Sequence, residues 1–407
     1  MQTRQHLIRL VLSSLSITSS MALYCLAPFA ANAQIVPDNT LGAESSRVFS
    51  TLIDNSPSKT IDGGATRGLN LFHSFREFNT TNQGGATVFS SPTGIQNILV
   101  RVTGSNPSNL SGTFGVSRSN ANLFLINPNG IQFGNASLSG FRNSEAIFFS
   151  TGSFIASTAS SVVLGNGIEF SAINPQPIPL LAISFPTGLQ FRAPVAQITL
   201  SDTLLNIGGT SPRASGQPPS TLGLIGGNLS MTRGRIAVRG GNIELGAIAA
   251  GTVDVKVEGS VVSFSYPNDL ARADISLDFR PALFFTLRSG GPTFSIGTST
   301  SRSVINIVGR NIEIRGTNTQ PSGDPTNPII SNNRLFNTIS TLTVSGVDPS
   351  LSKAGDITLN ATEEILVRDG ATISAEARLN SRGGNLNVIT KRLTVDGSLL
   401  SVNSTGC

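Results

Sequence analysis

Catalysis needs side chains that move protons, attack or bind metals, and this chain offers few of them in any grouping. Its two histidines are His6 and His73. His73 sits between Phe72 and Phe75, the setting of a packed or capping histidine. One such residue cannot build a His-based triad or a multi-His metal site. The two cysteines, Cys25 and Cys407, lie near opposite ends of the sequence. Glu363 and Glu364 are adjacent, so in a strand they point to opposite sides. Asp369 and Asp396 each precede a glycine and would stack if their segments were neighbouring coils, although Asp before Gly is common in turns for backbone reasons. Asp254 with Glu258, and Asp269 with Asp274, lack the spacing of a calcium loop. There is no Walker loop and no dinucleotide fingerprint. These residues predict no enzyme, no metal and no cofactor.

The elements that would position these residues begin with an export signal. Arg4 and Arg9 form a basic start, an apolar stretch diluted with serine runs from Leu10 to Phe29, and Ala31-Asn32-Ala33 is an A-x-A cleavage site that leaves Gln34 as the mature N-terminus. Residues 1–33 are therefore expected to be removed. Cys25 departs with them, so no disulfide can form within the mature chain. The loss of Arg4 and Arg9 takes the basic residues from 28 to 26 against 23 acidic ones. A net charge near +3 without a Lys/Arg-rich run does not predict a nucleic-acid partner. No later stretch is apolar over the ~18 residues that a membrane helix needs.

The remainder reads as all-β and repetitive. Only 13% of the residues are charged, and 42 Gly and 21 Pro cut many short apolar runs. Gly355-Asp356-Ile357-Thr358-Leu359 followed by Ile365-Leu366-Val367 matches Gly384-Asn385-Leu386-Asn387-Val388 followed by Leu393-Thr394-Val395. Gly227-Asn228-Leu229-Ser230-Met231 reads as an earlier copy. Within each strand the period is two: Ile98, Val100 and Val102 alternate with Leu99, Arg101 and Thr103. Short strands recurring at 20–29 residues predict a solenoid of on the order of fifteen coils; a β-sandwich array would explain the alternation but not the recurring Gly-Asn/Asp opening. Residues 34–82 are less repetitive and are expected to cap the column. Loops are expected at 208–220 and 317–328, and a flank insertion at 263–294. The sequence stops at Ser404-Thr405-Gly406-Cys407 just after a strand, which reads as a solenoid cut off.

One corner is specified by its residues. Leu123-Phe124-Leu125-Ile126 forms a buried strand that runs into Asn127-Pro128-Asn129-Gly130. Asn at turn position i supplies a side-chain acceptor, Pro presets φ at i+1, Asn tolerates i+2 and Gly suits i+3. Ile131 and Phe133 then return to the core. The string Asn127-Pro128-Asn129-Gly130-Ile131 resembles the Asn-Pro-Asn-Gly-Ile motif of the two-partner secretion exoproteins, the filamentous-haemagglutinin family. In the family's order, Asn70-Leu71-Phe72-His73-Ser74-Phe75-Arg76-Glu77-Phe78-Asn79 and Arg101-Val102-Thr103-Gly104-Ser105-Asn106-Pro107-Ser108 resemble two further motifs. Residues 35–250 carry the likeness, most like the cyanobacterial branch. The family's second Asn-Pro motif is not evident, and Asn174-Pro175-Gln176-Pro177 is a poor substitute.

The resemblance implies a right-handed parallel β-helix with an N-terminal cap. Its parts would be a signal peptide (1–33), a secretion or haemagglutination activity domain (34–250) and further repeats (251–407). It implies a secreted surface adhesin, threaded out through an outer-membrane partner transporter with periplasmic binding modules. An unknown carbohydrate or protein would be the adhesion target, and Asn127–Ile131 the secretion motif, either as a structural corner or as a transporter contact. The competing readings are a secreted β-helical enzyme acting on polysaccharide and an autotransporter passenger without its barrel.

Overall fold

A computed structural model describes residues 34–53, 55–80, 86–117, 119–134, 145–201, 203–207, 220–238, 241–279, 295–298, 303–316, 338–341, 355–375, 377–378, 384–402 and 404–405. The expected signal segment, with Ala31 and Ala33, lies outside these residues, as do the expected loop at 317–328 and all of the expected loop at 208–220 except Ser220. Gln34 is exposed, and the unit Ile35–Cys407 begins directly after it.

Alternating apolar residues cannot be buried by a single short strand, so the chain winds and stacks them. Among the described residues nine coils follow one another in three parallel ladders, with every coil on the first and third faces and coils 2–9 on the second. The first face comprises Asn70–Phe78, Asn97–Val102, Asn122–Ile126, Phe154–Ser157, Thr221–Gly226, the opening parts of Asn242–Glu258, Val304–Arg315 and Asp356–Arg368, and Leu386–Ile389. The second face runs from Ser108–Leu110 through Ile131–Phe133 and Ile198–Ser201 to Arg392–Asp396. The third runs from Ala86–Ser90 to Leu399–Ser401. This is the expected parallel β-helix. It has nine coils and not about fifteen, because several coils are long. Asn70 and Asn97 lie 27 residues apart and Asn97 and Asn122 lie 25 apart, but 68 residues separate Ser153 from Thr221 and 62 separate Asn242 from Val304.

Parallel stacking puts like residues over like. Leu71, Ile98, Leu123, Phe154, Leu222, Ile243, Ile305 and Ile357 are in register along the first face and are at most 1% exposed. The C-terminal repeat holds as read: Ile357 pairs with Leu386 and Ile365 with Leu393. The Gly227 copy is shifted by one face. Leu229 opens a second-face strand, and the first-face equivalent of Ile357 is Ile243.

In coils 1–6 the first face is buried on both sides. Its outward side chains Phe72, Leu99, Phe124 and Ile155 enter a second apolar core with Phe170, Leu189, Val253 and Phe264. That cover is an antiparallel sheet built from two insertions. The first, in coil 4, contributes Ser161–Leu164, Glu169–Ser171 and Pro186–Phe191. The second, in coil 6, contributes the end of Asn242–Glu258 and Val261–Ser265. The expected flank insertion thus starts earlier than residue 263, and Ile275–Asp278 is already back on the second face. The long strand Asn242–Glu258 crosses residue 250, where the expected domain boundary lay.

The N-terminal cap covers the open strand edges of the column: it pairs antiparallel with the first face, and its strand Ser56–Gly63 continues the third face in parallel with Ala86–Ser90. Ile35–Pro37 and Ala65–Arg67 pair antiparallel with Asn70–Phe78, and Ser46–Ile53 forms a hairpin with Ser56–Gly63. Among the described residues, no helix is long and apolar enough to cross a membrane. Replacing Phe124 by Ala empties a fully buried site under the insertion sheet. The expected loss is about 3–5 kcal/mol, read as a lower denaturant midpoint for the chain's tertiary signal.

Candidate functional site

The Asn127 corner forms as its residues predict. Gly130 N–H donates to the Asn127 carbonyl at 3.1 Å, closing the turn. Gly130 has φ +118°, a region that disfavours side chains. Asn127 is fully buried and saturated. Its Oδ1 accepts from Asn129 N–H at 2.9 Å and from Asn129 Nδ2 at 3.3 Å. Its Nδ2 donates to Asn106 O and Ser108 Oγ, both at 3.0 Å. One amide therefore fills its two donor and two acceptor positions and ties coil 3 to coil 2. The backbone adds bonds upward, Asn127 N–H to Ser157 O at 2.9 Å and Ile131 N–H to Gln197 O at 3.3 Å. Pro128 is half-buried and Asn129 is exposed, with its Nδ2 donating to Gly104 O at 2.7 Å. Ile131 is buried in the core.

The Arg101 segment turns the same corner one coil earlier. A Cβ on Gly104 would lie 2.1 Å from Arg76 O, so only glycine permits this close approach. Arg101 itself is only 1% exposed. It donates to Ser74 Oγ at 2.9 Å, Ser171 O at 3.0 Å, Thr40 Oγ1 at 2.8 Å and Gln176 O at 2.9 Å, and lies 4.5 Å over the Phe170 ring. Burial pulls its pKa down to about 10, opposed by the Asp38 carboxylate. Asp38 accepts from Thr40, Ser74 and Thr103, and these bonds hold its pKa below the usual value against the opposing, largest influence of burial. One guanidinium thus joins the cap, the first face and the first insertion. The Asn174–Pro177 string supplies a carbonyl to it.

A further feature escaped the sequence reading. Asn70, Asn97 and Asn122 open successive first-face strands and form a buried amide ladder. Asn97 Nδ2 donates to Asn70 Oδ1 at 3.1 Å, and Asn122 Nδ2 to Asn97 Oδ1 at 3.0 Å. The signal was present as Asn followed by two apolar residues, at intervals of 27 and 25.

The residues with catalytic potential are placed structurally. His73 is fully buried, with Nδ1 3.0 Å from Ser46 Oγ and Nε2 without a partner. Burial pushes its pKa down to about 3, so it is a packed neutral histidine. Glu363 pairs with Lys391 and Glu364 with Arg392, each bridging to the next coil. Asp369 and Asp396 do not stack, because the register sets Asp396 against Arg368. Asp274 grips Arg310 and Asn311. Glu244, also buried, accepts from Asn306 at 3.0 Å, and burial pushes its pKa up to about 8. Among the described residues there is no cluster of His, Cys, Asp and Glu that could hold a metal.

Asn127→Ala should cost at least ~2 kcal/mol by orphaning Ser108, Asn106 and the Asn129 amide, whereas the exposed Asn129→Ala should cost less than ~1 kcal/mol; paired denaturation curves measure both. His73 sets a pH dependence. The unfolded chain takes up a proton near pH 6.5 that the folded chain refuses until about pH 3. Its contribution to stability is therefore complete above pH 6.5 and is lost as the pH falls toward 3. A His73→Gln chain should show a flatter stability profile across that window.

Comparison with known proteins agrees with this geometry. The TPS secretion domain family matches residues 33–283. The solved HMW1 secretion domain from Haemophilus influenzae superposes with a TM-score of 0.56 at 18% identity, covering 92% of this chain and 73% of that one. A filamentous hemagglutinin secretion domain aligns with a TM-score of 0.44 at 15% identity, covering 92% of this chain and 99% of that one. No curated protein sequence matches the chain. With a family match over more than half its length, on a parallel β-helix, the chain belongs to the TPS secretion domain family and carries the N-terminal domain of a two-partner secretion exoprotein, exported by way of a partner transporter.

Proposed function

We propose that this protein is a non-catalytic surface adhesin, delivered to the cell surface or the medium by an outer-membrane transporter whose periplasmic modules hold its secretion domain. The match over residues 33–283 carries the export half of this reading. Ala31, Ala33 and Gln34 are the residues proposed for signal cleavage on the way to the periplasm. Residues 34–250 are proposed as the secretion domain and 251–407 as added repeats.

Asn127 to Ile131 is the proposed secretion motif. Its buried half, Asn127 and Ile131, fixes the corner, while its exposed half, Asn129, is what a transporter can touch. The adhesin half is supported by the second face, where Gln132, Thr199, Ser230 and Ser276 stack in register as a strip of small polar groups. Such a flat ladder suits a carbohydrate or an extended protein target. The enzyme reading draws no support from Glu363 and Glu364, which are engaged in coil-to-coil pairs.

Expression with and without the partner transporter provides the test. The protein is expected outside the cell only when the transporter is present, and transporter-independent export would sink the proposal. Asn127→Ala and Asn129→Ala are both expected to block release. A block by Asn129→Ala at unchanged stability assigns a direct contact, and normal export of both variants would remove the motif from the mechanism. Turnover of polysaccharide by the purified protein would replace the adhesin reading with the enzyme.

A further inference from the structure

In a plain solenoid each coil touches only its neighbours, so coils can open one after another from an end. Coils 1–6 here depart from that rule. The Asn70–Asn97–Asn122 ladder is closed at both ends by elements far away in sequence. At one end Asn70 Nδ2 donates to Ser184 O in the first insertion at 2.8 Å. At the other, Asn122 Nδ2 donates at 2.8 Å to Gly259 O at the tip of the second insertion, 137 residues later. The same tip accepts from Ser153 Oγ through Ser260 O at 2.6 Å, and Val262 N–H donates to Thr221 Oγ1 at 3.2 Å. Coils 3, 4 and 5 are thereby pinned by residues 259–262.

The two insertions also depend on each other. Pro186–Phe191 is the central strand of the cover. It pairs on one side with Ser161–Leu164 and on the other with residues 251–254 of the second insertion. Without the second insertion this strand has a bare edge, and Phe264 no longer lies over Gly223. The outward apolar side chains Leu99, Phe124 and Ile155 would then lose part of the core that hides them. Among the described residues, coils 7–9 have no such apolar cover, and Arg272 of the second insertion reaches coil 8 through its hydrogen bonds to Asn360 alone. Their outward first-face column is Asn306, Thr358 and Asn387, and none of these is fully buried.

We propose that the two insertions act as one clasp, shut by residues 259–265, and that coils 1–6 with both insertions form a single cooperative unit ending near Phe279. The family match, which ends at residue 283, falls just beyond that point. In this arrangement the strand that leads into the Asn127 corner is locked only after a segment 137 residues downstream of Asn122 has folded back on that residue. The unit that carries the Asn127 corner is then completed by its last-made part, while coils 7–9 add to its end.

Native-state hydrogen exchange on the full chain tests this. In the unaltered protein, amides in 97–102, 122–126, 186–191 and 251–258 should exchange through one shared opening, with protection factors agreeing within about threefold, while 364–368 opens separately. Opening of 251–265 about tenfold more readily than 97–126 would overturn the clasp. Phe264→Ser in the full chain should lower protection at 97–102 and 122–126 by about tenfold or more and leave 364–368 unchanged. Loss confined to 248–273 would overturn the proposal.

Discussion

Every coil must give its backbone hydrogen bonds to another coil, and the rest of the structure follows from that requirement. A short strand of five residues has no partner within its own turn, so its N–H and C=O groups are satisfied only by stacking. The stacking puts residue over residue, and an apolar side chain in one coil is sealed only by its equivalents above and below. Leu71 to Ile357 is the outcome, a column whose members are buried because of their neighbours. The same requirement makes the ends costly, and the N-terminal end is closed by strands that run antiparallel to the first face.

Stacking also decides where polar side chains can be used inside the protein. At a corner the backbone leaves the ladder, and its freed groups need partners. Asn127 meets that need with one saturated amide, and at the strand starts Asn70 and Asn122 bond backbone groups while Asn97 links their side chains. Asn suits the role because one side chain both donates and accepts, so identical residues can bond to one another at the coil spacing. Arg101 is the more expensive case. Its charge is desolvated and it is offset by four hydrogen bonds and an aromatic face. It ties the first insertion to the first face and to the cap.

The pairing of charged side chains has the same origin. Carboxylates and basic residues on successive coils fall into register and pair across the coil spacing, as Glu363 does with Lys391 and Glu364 with Arg392. A register that aligns opposite charges neutralises them, whereas an active site needs groups held with unmet demands. Such demands remain at buried positions, in the unpartnered Nε2 of His73 and in the raised pKa of Glu244, and these groups are sealed beneath packing.

Local pattern made the repeat, the Asn127 turn and the packed state of His73 legible in the sequence, because each depends on residues within a few positions of one another. The period of two in Ile98-Leu99-Val100-Arg101-Val102 gave the strand correctly. It did not show that Leu99 and Arg101 are as buried as Ile98 and Val100, since their cover comes from residues 161–191 and 251–264. Coil number was misjudged for the same reason: the insertions interrupt the period that counting relies on. The Gly227 repeat was placed one face out, because the three faces use nearly the same Gly-Asn/Asp opening and only pairing distinguishes them. The sequence by itself determined that short apolar strands would turn at Gly, Asn and Pro and stack into a β-solenoid bearing a secretion-family corner. The tertiary structure alone decided which coils receive a second apolar layer and where a buried arginine and an asparagine ladder find partners, because those contacts join segments separated by up to 137 residues that no local periodicity encodes.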